Sequence, residues 1–205
     1  MGYHLVTARG YDFFEVASAL QKEIRRGNEE AALYWALELG SKFDDFLWSR
    51  LSIIASEDIG PADNSIAVLI YALGEQYKRI KKRTSKPAER IVLAHAIFAM
   101  CRASKSRVAD DLACYVSHQI DSEDSRREIP DYALDFHTRR GKQAGRSWDH
   151  WVHESCKLEN EAPGLNLYRD QALAMRRKHG RLKPKNKTGP LSAGAIPLFE
   201  GNGEA

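Results

Sequence analysis

Apolar residues recur at three- and four-residue spacing in one segment after another of this chain, a period that restricts the fold to packed helices. Within residues 12–26, Phe13, Val16, Ala17, Leu20 and Ile24 fall on one helical face. Gly27 breaks that pattern, and Asn28 is placed to cap a second helix over 29–39 with two glutamates in its first turn. Trp35, beside Leu33 and Tyr34, is expected in the core of that short helix. After Gly40, Phe43, Phe46, Leu47, Leu51 and Ile54 mark a third helix running towards Gly60. Ile66, Leu69, Ile70, Leu73, Tyr77 and Ile80 then follow one face of a long fourth helix that closes on the basic segment 78–83. Pro87 stands where the first turn of a fifth would begin, with Ile91, Ala94, Ile97, Phe98 and Cys101 as its inner face. Further helices are expected over 104–120, 147–158 and 167–178, whereas 131–145 gives mixed signals. No stretch alternates with period two between turn residues, so no sheet is expected.

The expected fold is therefore all-α, a bundle of about eight helices. It follows a short N-terminal extension, residues 1–11, and occupies residues 12–178. Residues 179–205 form a flexible basic tail, because 181–190 is too polar to bury a face. A chain of 205 residues with 43% hydrophobic side chains can bury a core without staples. No apolar run approaches the ~20 residues that span a bilayer, and the first residues lack the charge and hydropathy of a secretory signal. Cys101, Cys114 and Cys156, an odd count at wide spacing, suit reduced thiols in the cytoplasm.

Charge is unevenly divided. Residues 1–170 carry 24 Lys+Arg against 26 Asp+Glu, and residues 171–205 carry 7 against 2. A near-neutral body with a basic arm suits contact with nucleic acid, or a solvated tail with no partner. Arg139, Arg140, Lys142 and Arg146 form one basic cluster; Arg176, Arg177, Lys178, Arg181, Lys183, Lys185 and Lys187 form a second. Phosphate contacts from such residues are salt-sensitive and independent of base sequence.

Few residues are arranged for chemistry. There is no Gly-x-x-x-x-Gly-Lys-Ser/Thr loop, and Gly141-Lys142-Gln143 lacks both the magnesium-binding hydroxyl and the upstream glycine. No Gly-x-Ser-x-Gly elbow is found. His150, His153 and Cys156 lie three apart, so on a helix the outer two diverge by roughly 120°. Two of them can share a zinc ion, with His137 upstream, but a tetrahedral set needs a ligand from elsewhere; a small metal-dependent enzyme using residues 137–156 is one rival reading, and a partner-binding adaptor without DNA contact is the other. Glu57 and Asp58 are adjacent and do not face each other on a helix. They are better placed to bond free backbone groups before Gly60-Pro61. Trp148 and Trp151 offer either an apolar helix face or a stacking platform for bases. No cofactor is expected, and catalysis is not.

Several segments, in order and spacing, carry a family resemblance. Ala19-Leu20-Gln21-Lys22-Glu23-Ile24-Arg25-Arg26-Gly27 leads into Ala31-Ala32-Leu33-Tyr34-Trp35. Arg50-Leu51-Ser52-Ile53-Ile54-Ala55-Ser56-Glu57-Asp58-Ile59-Gly60-Pro61-Ala62-Asp63 and Ala103-Ser104-Lys105-Ser106 follow. Together they resemble the C-terminal helical region of the replication-associated recombination AAA+ ATPases, clamp-loader relatives also known as maintenance-of-genome-stability proteins. The resemblance covers residues 10–120; Asp131–Asp135 and His137–Gly141 are similar to a segment seen in some members. It implies a collar that assembles subunits into a tetramer, in DNA replication, recombination or repair. It also implies structural roles for Tyr34, Trp35, Ser56, Glu57, Asp58, Gly60, Lys105 and Ser106. It does not imply ATPase activity, since the Walker elements lie upstream in the family. The expectation is a stand-alone collar, or one working beside a separate AAA+ motor, with no membrane contact. Ile196, Pro197, Leu198 and Phe199 resemble the peptide by which bacterial proteins dock on the sliding clamp, with Ala195 where glutamine is usual. Docking of this peptide back on its own bundle is the alternative.

Overall fold

The computed structural model describes residues 5–83, 87–122 and 126–182. Its first helix, α1 (Phe13–Arg26), is opened by Asp12, whose carboxylate accepts the backbone N–H of Phe14 at 2.8 Å and of Glu15 at 2.9 Å. Arg25 and Arg26 complement the carbonyl end, and Gly27 closes it at φ 74°. α2 (Glu29–Gly40) is not capped by the Asn28 side chain, as its position suggests; that amide donates to Glu23 Oε2 instead. α3 (Asp44–Ile54) runs on towards Gly60 as a wider π-helical turn, Ala55–Ile59, followed by a 3-10 turn, Gly60–Ala62. α4 (Asn64–Arg83), α5 (Glu89–Arg102) and α6 (Val108–Asp121) complete a first unit, residues 1–126.

The architecture is all-α: no strand forms among the described residues, apart from an isolated bridge between Val6 and Asp12. α1 lies on α2 and α4 on α5, with α2 and α5 in contact between them. Leu20, Ile24, Leu39, Leu47, Leu51, Ile54, Ile70, Leu93, Ile97 and Met100 fill the centre. Side chains of this size contribute about 1.5–3 kcal/mol each when fully buried.

Two core assignments are corrected. Trp35 is half-buried rather than central; it packs edge-on against Tyr34 at 4.9 Å and Tyr11 at 5.5 Å between ring centres. On α5 the inward residues are Val92, Leu93, Ala96, Ile97, Met100 and Cys101, while Ile91 and Phe98 are exposed. α6 starts at Val108 and not near 104. The Lys105 ammonium donates to the carbonyls of Cys101 and Ala103, closing α5, and Ala103 is extended (ψ 147°).

Glu38 anchors the N-terminal segment. Its side chain is 2% exposed and accepts the Arg9 backbone N–H at 3.0 Å and the Arg9 guanidinium at 2.9 Å. Burial pushes its pKa up, but hydrogen bonds from the Thr7 hydroxyl and Arg9, with the Arg9 charge, hold it below the ordinary 4.5. A carboxylate depressed in the folded state adds stability that is complete above its unfolded pKa and is lost as pH falls through the folded one. Glu38→Gln should therefore flatten the loss of stability on acidification below pH 4.5, read as urea midpoints across a pH series. A variant whose acid limb overlays that of wild type would contradict this.

The second unit, residues 127–205, holds a 3-10 turn (Asp131–Ala133) and three further helices. These are α7 (Arg139–Gln143), α8 (Trp148–His150), which widens into a π-helical turn (Trp151–Ser155), and α9 (Arg169–Lys178). α7 occupies the stretch with mixed sequence signals. Leu182 is buried although its position falls in the expected tail.

Candidate functional site

Of the motif residues, Glu57, Asp58, Gly60 and Ser106 converge where the π-helical turn meets α1 and the start of α6. Asp58, with a side chain 2% exposed, accepts from Arg25 Nε at 2.7 Å and from Arg107 at 2.8 Å on Oδ1, and from Gln21 Nε2 at 2.9 Å on Oδ2. Glu57 Oε1 accepts from the same two guanidiniums at 2.8 and 3.0 Å. The expectation that these acids bond to free backbone groups is thus corrected: their partners are side chains. They do converge despite being adjacent, because each arginine is long and forked and bridges both. The Glu57 hydrogen bond pushes the Arg107 pKa further up. Arg107 also pairs with Asp110.

Backbone contacts complete the junction. Ser106 donates its N–H to the Asp58 carbonyl at 3.0 Å, and Gly60, at φ 47°, lies against Ser106 and Ala109. Ser56 is exposed, its hydroxyl 3.4 Å from the Ser52 carbonyl. With both carboxylates held by two guanidiniums, the junction has the chemistry of a clamp rather than of an acid–base pair. Tyr34 stands apart from it, exposed, its hydroxyl 3.4 Å from that of Tyr11 and its ring under Arg9.

In the second unit, Asp135 accepts the His137 N–H at 2.9 Å and faces His137 Nδ1 at 3.0 Å. The His137 side chain hydrogen bond holds the Asp135 carboxyl below its ordinary pKa. Thr138 caps α7 by accepting the Gly141 N–H at 3.0 Å. From this turn Arg139, Arg140 and Lys142 project exposed and form no ion pair among the described residues. Arg146 pairs with Asp131. Arg177 is half-buried and Lys178 exposed at the end of α9.

Phe136, Trp148 and Trp151 cluster beside that turn: Trp148 lies 4.7 Å from Phe136 and 5.4 Å from Trp151 between ring centres. The Arg176 guanidinium sits 5.4 Å from each indole, and Arg181 sits 5.4 Å from Trp148. His153 and Cys156 bond to the carbonyls of Asp149 and Val152 one turn back, and His150 lies near Ser155 and Asp131. No group of three or more side chains that could hold a metal ion occurs among the described residues. Lys183, Lys185, Lys187 and the peptide Ile196, Pro197, Leu198 and Phe199 lie outside them. Gln21, Arg25 and Arg107 are the site residues that sequence reasoning does not reach, since nothing local marks them as partners of Asp58. No described helix is long and apolar enough to cross a membrane.

Comparison with known proteins adds the family. Residues 27–162 match the family described as MgsA AAA+ ATPase C terminal. The replication-associated recombination protein A of Escherichia coli is 32% identical over 133 residues, 64% of this chain and 28% of that protein. The Coxiella burnetii protein of the same name is 29% identical over 149 residues, 71% of this chain and 33% of its own length. That of Bacillus subtilis is 29% identical over 143 residues, 67% and 32%. The chain thus spans about a third or less of the curated relatives it matches. It belongs to the MgsA AAA+ ATPase C-terminal family.

Proposed function

We propose that this chain is a non-catalytic assembly module of the DNA replication and recombination machinery, a collar that joins copies of itself and serves AAA+ motors. The observation that carries this reading is the outer face of α6. None of its side chains is buried, and Val108 (55% exposed), Leu112 (60%) and Tyr115 (61%) form a stripe at i, i+4 and i+7. A helix with such a stripe gains stability by laying it against another apolar surface. Exposed Ile91 and Phe98 on α5 add to the apolar surface available for subunit contacts. Family membership supports the same reading.

In this account the basic residues of α7, α9 and the tail approach DNA, and Ile196–Phe199 engages a sliding clamp. The test is solution mass. The full chain is expected as an oligomer, a tetramer in the family's pattern, and Leu112→Asp with Tyr115→Asp should reduce it to monomers of unchanged helix content. A wild-type chain that stays monomeric at every concentration sinks the proposal.

A further inference from the structure

The second unit buries little aliphatic surface: Val152 and Leu182 are its buried hydrophobic side chains among the described residues. Its main apolar mass is instead the aromatic cluster of Phe136, Trp148 and Trp151, and the groups over the two indoles are guanidiniums. Phe136 packs on Trp148, and the half-buried indoles otherwise meet the guanidiniums of Arg176 and Arg181 rather than the carbon of a core. Phe136 and His137, which contact the two tryptophans, lead directly into the turn that exposes Arg139, Arg140 and Lys142.

From this juxtaposition we infer that the second unit binds single-stranded nucleic acid, with unpaired bases stacked on Trp148 and Trp151 and phosphates held by Arg139, Arg140 and Lys142. The inference rests on the reading above that these basic segments approach DNA, and it names the form of the ligand. A duplex hides its base faces within the stack, so an aromatic platform is of use only to unpaired bases. Guanidinium and base are both planar groups that stack on an indole. A base arriving at the platform takes the place of Arg176 or Arg181 and frees a cation for the adjacent phosphate.

The experiment uses the full chain with a fluorescent oligothymidylate and with a duplex of the same length, each titrated across a salt series. The single strand is expected to bind about tenfold or more tightly than the duplex and to quench tryptophan emission saturably. Trp151→Ala should weaken single-strand binding about tenfold and leave duplex binding unchanged. Arg139→Glu with Arg140→Glu, on exposed positions, should lower the slope of log affinity against log salt by about 1.4 for the single strand. If Trp151→Ala disturbs the fold, the emission change in wild type and the slope of the arginine variant still decide. Equal affinity for both forms, with tryptophan emission unmoved, overturns the stacking inference while leaving DNA contact intact. No binding of either form at low salt overturns both.

Discussion

Asp58→Ala is expected to cost the first unit about 3 kcal/mol, far more than a typical surface substitution. The magnitude follows from what the change leaves behind. Asp58 is 2% exposed and is the common acceptor for Gln21, Arg25 and Arg107, which come from α1 and from the start of α6. Removing it strands the buried Gln21 amide and Arg25 Nε without an acceptor, and an unmet donor costs more than the net worth of the bond it made. The figure sits at the low end for broken buried pairs because Arg25 and Arg107 are 32% and 43% open to water and regain part of their hydration. Asp58→Asn keeps the shape and one acceptor oxygen and should fall between alanine and wild type. Arg107→Lys keeps a charge beside Glu57 but loses the fork that also reaches Asp110, and should cost less than alanine at 58 because Arg107 is itself 43% exposed. Urea unfolding followed by circular dichroism measures all three, fitted with the two units as separate transitions. If alanine at 58 melts with wild type, the clamp is not what holds α6 to α1 and the π-helical turn.

The same residues show which parts of the fold can be read from sequence. The buried face of α1 matches its spacing because mostly polar residues fill the other side; that of α4 matches in Ile66, Ile70, Leu73 and Tyr77 although Val68 and Tyr71 stand exposed opposite. α5 misleads because residues 91–98 are apolar nearly all round, apart from His95, so two faces fit equally well and tertiary contacts choose between them. Asn28 is in position to cap, but its amide is turned to donate to Glu23 and its oxygen accepts no backbone N–H of the first turn. The Ser56–Gly60 motif is visible as a string, yet its use is not. Arg25 lies 33 positions before Asp58 and Arg107 lies 49 after it, and only the folded chain brings them to one carboxylate. In the second unit, α7 is five residues long, too short for a helical period to show. The basic and aromatic residues are legible there as types; that Arg176 and Arg181 lie over the indoles is not.

Gly141 lies in the stretch whose sequence signals are mixed, and the structure gives it a definite role. It is buried within α7, and a Cβ added there would lie 1.8 Å from the Asp135 carbonyl oxygen and 2.6 Å from that of Leu134. Both obstacles are backbone, so no side chain can swing aside to make room. Gly141→Ala must therefore open the turn. It would release the Thr138 N–H from Asp135 (3.1 Å), the Gly141 N–H from the Thr138 hydroxyl (3.0 Å) and the Arg146 N–H from the Gly141 carbonyl (2.9 Å). Overpacking that cannot relax, together with three lost hydrogen bonds, puts the expected loss at about 3 kcal/mol or more for the second unit. Gly145→Ala is the control: it sits in open space, and its φ of 66° costs alanine only about 1 kcal/mol. Amide exchange at residues 138–146, with tryptophan emission for the neighbouring aromatic cluster, reads the effect directly. Gly141→Ala should remove protection there and leave the transition of the first unit in place. Protection as strong as in the Gly145 variant would mean that the turn does not close over Gly141 as described.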